Sequence, residues 1–179
     1  VMHAKVHEYD PGKDEAQIVK DALAAPIGSK KLSELAAGKK TIPLITSDHT
    51  RAVPSKLTLP ILLAEIRSGN PDADITILIA TGLHRATTPE EQRSMFGDAI
   101  VDNERIAVHD AFRDEDMDDI CILPPVACFI HHRLAVPSDL PITVGPNDPL
   151  LFAASSAGRK SLLPGLCSDA TVNENHSDK

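Results

Sequence analysis

A chain of 179 residues with 42% apolar side chains can bury one sizeable core and is too apolar to be disordered. A formal charge of -8, an aromatic content of 3% and the absence of Trp exclude a general nucleic-acid binder and a base-stacking surface. No apolar run approaches the roughly 20 residues that cross a bilayer, and Val1-Met2-His3-Ala4-Lys5 does not open a signal peptide.

Asp14 to Ala24 sets Ala16, Ile18, Val19 and Leu23 on one helical face, and Pro26 blocks continuation. A short helix over 31–37, stopped by Gly38, precedes a first strand from Thr41 to Thr46. Pro43 removes a ladder donor there, so this strand is expected at an edge or irregularly paired at that point. Leu57 to Ser68 has helical spacing, with Pro60 in the first turn and Gly69-Asn70-Pro71 as the stop. Asp74 to Ala80 is apolar almost without alternation, as a parallel strand covered on both faces would be. Thr88-Pro89-Glu90-Glu91 combines a capping box with Pro at the first helical position and predicts a helix from Pro89 to about Phe96. Arg105 to His109 reads as a third strand, 113–118 as a solvated connection, and Asp119 to Leu123 as another strand ended by Pro124-Pro125. From there to Pro149 no period persists. Ser168 to Glu174 reads as a capped helix with His176 just beyond it.

Alternating strands and helices predict an α/β fold, a Rossmann-like open parallel sheet with helices on both faces. Ser47-Asp48-His49-Thr50-Arg51 and Thr81-Gly82-Leu83-His84-Arg85 then lie at carboxyl ends of neighbouring strands, where open sheets bind ligands. Asp48 and Arg51 form either a local ion pair or part of an anion site. Thr50, Ser55 and Lys56 add hydroxyls and charge, and Arg51, Lys56 and Arg85 are expected along one rim. The imidazole of His84 is suited to taking a proton from an alcohol, or is a simple polar loop residue. His109 is assigned a structural role, and His131-His132 point apart on an extended chain, against joint metal binding. His176 is either a ligand for a borderline metal such as nickel or part of a frayed tail. Small residues leading into Gly158-Arg159-Lys160-Ser161 allow close approach to an anion, without the spaced glycines of a Walker A loop. Cys121, Cys128 and Cys167 read as reduced thiols, and the expected location is the cytoplasm, with no membrane or nucleic-acid partner.

Four stretches together resemble the amino-terminal domain of the nickel-pincer-nucleotide-dependent lactate racemase family. They are Ser47-Asp48-His49-Thr50-Arg51-Ala52-Val53-Pro54-Ser55-Lys56, Ile77-Leu78-Ile79-Ala80-Thr81-Gly82-Leu83-His84-Arg85, Gly158-Arg159-Lys160-Ser161-Leu162-Leu163-Pro164-Gly165, and Asn175-His176. The resemblance implies an isomerase, a racemase or epimerase of a small 2-hydroxy acid such as lactate, working by proton-coupled hydride transfer to a nickel-pincer pyridinium nucleotide. It implies His84 as one of two acid/base histidines and Lys160 as the lysine that can join the cofactor through a thioamide. His176 matches the nickel ligand, and Asp48, Thr50 and Arg51 match the loop that holds the nucleotide.

The second histidine of that pattern falls on Leu150, which cannot exchange a proton. Residues 1–123 are better defined as a nucleotide-binding domain, 124–151 diverge, and 152–179 form the cofactor-linking segment. The expectation is a single, truncated amino-terminal domain without the family's closing carboxy-terminal domain, inactive alone. The alternative is a non-catalytic nucleotide- or phosphate-binding module.

Overall fold

The computed structural model describes residues 10–123, 126–146 and 158–176, without the side chains of 121–131. Three of the strands are β1 (Thr41–Ser47), β2 (Asp74–Ala80) and β3 (Arg105–Val108). With β6 (Ile142–Val144) they form one parallel sheet in the order β3-β2-β1-β6. A separate antiparallel pair joins β4 (Met117–Leu123) to β5 (Val126–His132).

Alternation along the inner strands assigns each face its cover. On one face Ile42, Leu44, Ile75, Ile77 and Ile79 pack against Leu59, Leu63 and Ile66 of α3 (Ser55–Gly69), with Phe96 of α4 (Pro89–Phe96) and Ile100 of α5 (Asp98–Asn103). On the other, Ile45 and Leu78 meet Ala135, Leu162 and Leu166, contributed by a turn after β5 and by α6 (Arg159–Leu162) with the residues that follow it. The unalternating apolar run of β2 is therefore explained, since Ile75 to Ile79 are all covered except at the ends of the strand. The fold is α/β, as expected.

Several boundaries differ from the sequence-based reading. β1 lies inside the sheet, not at its edge; its ladder with β6 begins at Leu44, one residue past Pro43, so the missing donor sits at the margin of that pairing. α3 begins at Ser55, which moves Pro60 out of the first turn and leaves the carbonyl of Lys56 without its helical donor. The proline-rich stretch in which no period persists contains β5 and β6. β6 is only three residues long and supplies no periodicity, so its pairing with β1 is a tertiary outcome. α1 (Glu15–Ala24) and α2 (Leu32–Ala36) form where expected, and α2 is held on α3 by Asn70, whose Nδ2 donates to the Ala36 and Lys39 carbonyls at 2.9 and 2.6 Å. The Thr88 capping box and Pro89 start α4 as predicted.

Candidate functional site

A cavity of about 330 Å³ lies beyond the carboxyl ends of β1 and β2. Its walls come from Ser47, Asp48, Thr50 and Arg51 around the end of β1, from Ala80 to His84 at the end of β2, from Lys160, Ser161, Pro164 and Gly165, and from Asn173 and His176 at the end of α7 (Asp169–Asn175).

Asp48 is 3% exposed, so its charge has to be satisfied internally. Its Oδ1 accepts from Thr50 N at 3.1 Å and from Thr50 Oγ1 at 2.6 Å, and its Oδ2 lies 2.6 Å from Nδ1 of His84. Burial works against ionisation, but the hydrogen bonds from Thr50 and His84 outweigh it and hold the carboxyl below its ordinary pKa. An ionised carboxylate only accepts, so Nδ1 of His84 carries a proton and donates it. In the neutral ring Nε2 then keeps its lone pair, which is the tautomer a general base needs. The side chain of His84 is half exposed, so that lone pair is within reach of a ligand.

The opposite wall is fastened to the sheet through backbone groups. Gly82, at φ +56°, donates its N–H to Gly165 O at 3.0 Å, and Thr81 Oγ1 donates to His109 O at 2.8 Å. His109 is fully buried, its Nε2 3.0 Å from Cys167 O and its ring edge-on to His132 at 5.6 Å. His109 is therefore a buried residue of the core and does not line the cavity. Cys167 is also buried, which pushes its thiol up to about 12 and rules it out as a nucleophile near neutral pH.

His176 caps the carboxyl end of α7, and its Nδ1 lies 2.8 Å from the Val172 carbonyl. A carbonyl only accepts, so Nδ1 is the N–H and Nε2 is left as a metal donor. No group of three or more His, Cys, Asp or Glu among the described residues could hold a metal by itself. One free imidazole nitrogen is a donor suited to completing the coordination of a metal that an organic group already carries. The donor set fits that kind of cofactor.

The structure brings all six sequence-nominated residues, Asp48, Thr50, Arg51, His84, Lys160 and His176, around one cavity. It does not place Arg51, Lys56 and Arg85 along one rim. Arg85 turns to Glu91, with Nη1 and Nη2 at 2.9 and 2.6 Å from its two oxygens, and the Lys56 stem lies near Gly97. Ser55 is buried and does not line the cavity. Asp48 pairs with His84 and not with Arg51, so the local ion pair is absent. Among the described residues Arg51 and Lys160 have no acidic partner, which leaves two cations for an anionic ligand. Sequence reasoning missed the Asp48–His84 pair and Asn173. Asn173 precedes His176 by three residues, one helical turn, and that spacing was the available signal. Leu150 and the small-residue stretch 152–157 lie outside the described residues. His132 is buried against His109 and is not in the cavity.

Comparison with known proteins places the chain in a family. Lactate racemase of Thermoanaerobacterium thermosaccharolyticum is 47% identical over 176 residues, covering 98% of this chain and 41% of the relative. Lactate racemase of Lactiplantibacillus plantarum is 47% identical over 163 residues, covering 91% of this chain and 38% of the relative. The chain thus spans about two-fifths of the length of these relatives. The solved structure of the lactate racemase apoprotein from T. thermosaccharolyticum superposes with a TM-score of 0.88 at 50% identity, over 91% of this chain and 39% of that one. A Thermotoga maritima protein, 22% identical, shares the fold with a TM-score of 0.73 over 90% of this chain and 40% of that one. The lactate racemase N-terminal domain family matches residues 1–178, and the chain belongs to that family.

Proposed function

We propose that this chain is the cofactor-holding domain of a lactate-racemase-like 2-hydroxy-acid racemase or epimerase. The observation that carries the reading is the convergence on one cavity of an imidazole tautomerised by Asp48 and a second imidazole, His176, left with one free nitrogen. When bound, a nickel-pincer nucleotide supplies the acceptor and later the donor of the substrate's hydride. Nε2 of His84 takes the proton of the substrate hydroxyl, and Asp48 stabilises the imidazolium that results. Arg51 offsets negative charge on the ligand, joined by Lys160 only while its amine is unlinked and protonated; Thr50 and Asp48 shape the loop against it, and the Lys160 amine is the group available for a thioamide link, which would leave that nitrogen neutral. His176 would hold the nickel through its free Nε2.

Return of hydride to the opposite face of a planar 2-keto acid inverts configuration, which requires a proton donor on that side too. The residue aligned with that donor is Leu150, so the chain alone is inactive in this reading. Closure over a substrate such as lactate would come from the part of the relatives that this chain does not match. A cytoplasmic location suits the free Cys167, and no helix among the described residues is long and apolar enough to cross a membrane. The substitution at position 150 also favours the second reading, a binding module that keeps the nucleotide crevice without turnover.

Co-expression with the cofactor-making enzymes, followed by intact mass and metal analysis, tests the assignment. Wild type should carry an adduct and nickel, K160A should lose the adduct, and H176A should lose nickel while keeping the adduct. Absence of both adduct and nickel in wild type would leave only the binding module.

A further inference from the structure

Arg85 follows His84 directly, so a permanent cation neighbours in sequence the imidazole that Asp48 orients. A guanidinium is the stronger partner for a carboxylate, because it offers two parallel charged N–H groups where the imidazole offers one. Its own charge is reinforced by Glu91 first and by the field of Asp48 as well. Arg85 is nonetheless turned away: Glu91 takes both of its terminal nitrogens, and Nη1 also donates to Ala86 O at 3.0 Å.

Glu91 is itself fixed in place. Its Oε2 accepts from Thr88 N at 2.8 Å as half of the capping box of α4, and it lies 3.8 Å from Nδ1 of His49, whose ring reaches Thr87 Oγ1 at 3.3 Å. One carboxylate therefore joins the helix start, the competing arginine and the loop after β1. We propose that Glu91 is a positioning residue that holds Arg85 away from Asp48 and so preserves the Asp48–His84 pair. The catalytic meaning of that pair rests on the function proposed above; its geometry does not.

The test is the 15N spectrum of the His84 ring in the labelled chain at alkaline pH, where the two nitrogens report the tautomer separately. Gln serves in a capping box as Glu does, so E91Q removes the charge and leaves the start of α4 intact. Wild type should show protonated Nδ1. E91Q should lose that signature as Arg85 takes Asp48, and E91Q/R85Q should regain it because the competitor is gone. R85Q alone should keep it. An E91Q chain with the wild-type tautomer, a double variant that does not recover, or an R85Q chain that loses protonated Nδ1 would overturn the proposal. None of these spectra depends on turnover. In a full-length form carrying Leu150→His and with cofactor bound, turnover unchanged by H84N would remove the catalytic reading and leave the tautomer result standing.

Discussion

Replacing Asp48 by Asn tests whether the buried carboxylate does what its contacts imply. The side chain accepts three hydrogen bonds, two from Thr50 and one from His84. Bonds to a charged acceptor contribute about 1.5 to 3 kcal/mol each and neutral ones about 0.5 to 1.5 kcal/mol. An Asn oxygen can keep both Thr50 bonds at the neutral value, a loss of about 1 kcal/mol for each. With the charge-assisted contact to His84 reduced to a neutral one by a further loss of about 1 kcal/mol, the variant should be less stable than wild type by about 3 kcal/mol at pH 7.

The Asn amide donates where the carboxylate accepted, so Nδ1 of His84 has to become the acceptor and the proton moves to Nε2. In a serine-protease triad the same change costs about 10⁴-fold in turnover. His84 is half exposed and can partly reorient, so in any cofactor-loaded form that turns over we expect a fall of about 10² to 10⁴-fold. Urea unfolding provides the stability assay, with the midpoint shifting at constant slope. The pH dependence supplies a second check. A carboxyl with a depressed folded pKa contributes stability that is present above its unfolded pKa, 3.8, and lost as pH falls through the lower folded value. The gap between wild type and D48N should therefore be full at neutral pH and narrow below about pH 4. Equal midpoints at pH 7, or a gap that does not narrow in acid, would refute the account.

Two further outcomes concern the scaffold. A Cβ at Gly69 would lie 1.9 Å from the Ser33 carbonyl oxygen, so Gly69→Ala has to push α2 off α3. Overpacking costs about 1 to 3 kcal/mol against a helix-propensity gain of about 1 kcal/mol, and the melting temperature should fall; a rise would show that the contact gives way freely. Asp139 accepts from the backbone N–H of Lys40 at 2.7 Å and of Thr41 at 3.2 Å, and those bonds hold its carboxyl below the ordinary value. Its stabilising effect is present above the unfolded pKa of 3.8 and lost as pH falls through the lower folded one, so D139A should melt earlier than wild type at pH 7 and by a smaller margin at about pH 2. Differential scanning calorimetry at both pH values decides, and an undiminished difference at the acid end would contradict the assignment.

Much of the frame was legible because its signals are local. The run Ile75 to Ile79 marks a doubly covered strand by composition alone, and Thr88-Pro89-Glu90-Glu91 starts a helix through contacts three residues apart. The parallel order of β1 and β2 follows from the helix between them, and that order puts Asp48 and His84 on one edge. Of the two outcomes Pro43 allowed, the edge position is wrong and the irregular pairing holds, because the ladder with β6 begins only past it. β6 escaped notice because three residues among prolines carry no period, and only the open side of β1 recruits them.

The division is clearest at the site. Sequence alone determined which residue types stand at the strand ends and that His176 follows a capped helix, since chain spacing and turn chemistry suffice for both. Tertiary structure decided the partners. The paired registers of β1 and β2 bring Asp48 to His84 across 36 residues, and the helix start at Thr88 draws Arg85 to Glu91. Which of several nearby charges a carboxylate takes depends on distances of a few tenths of an ångström, and those exist only once the sheet and its covering helices have packed.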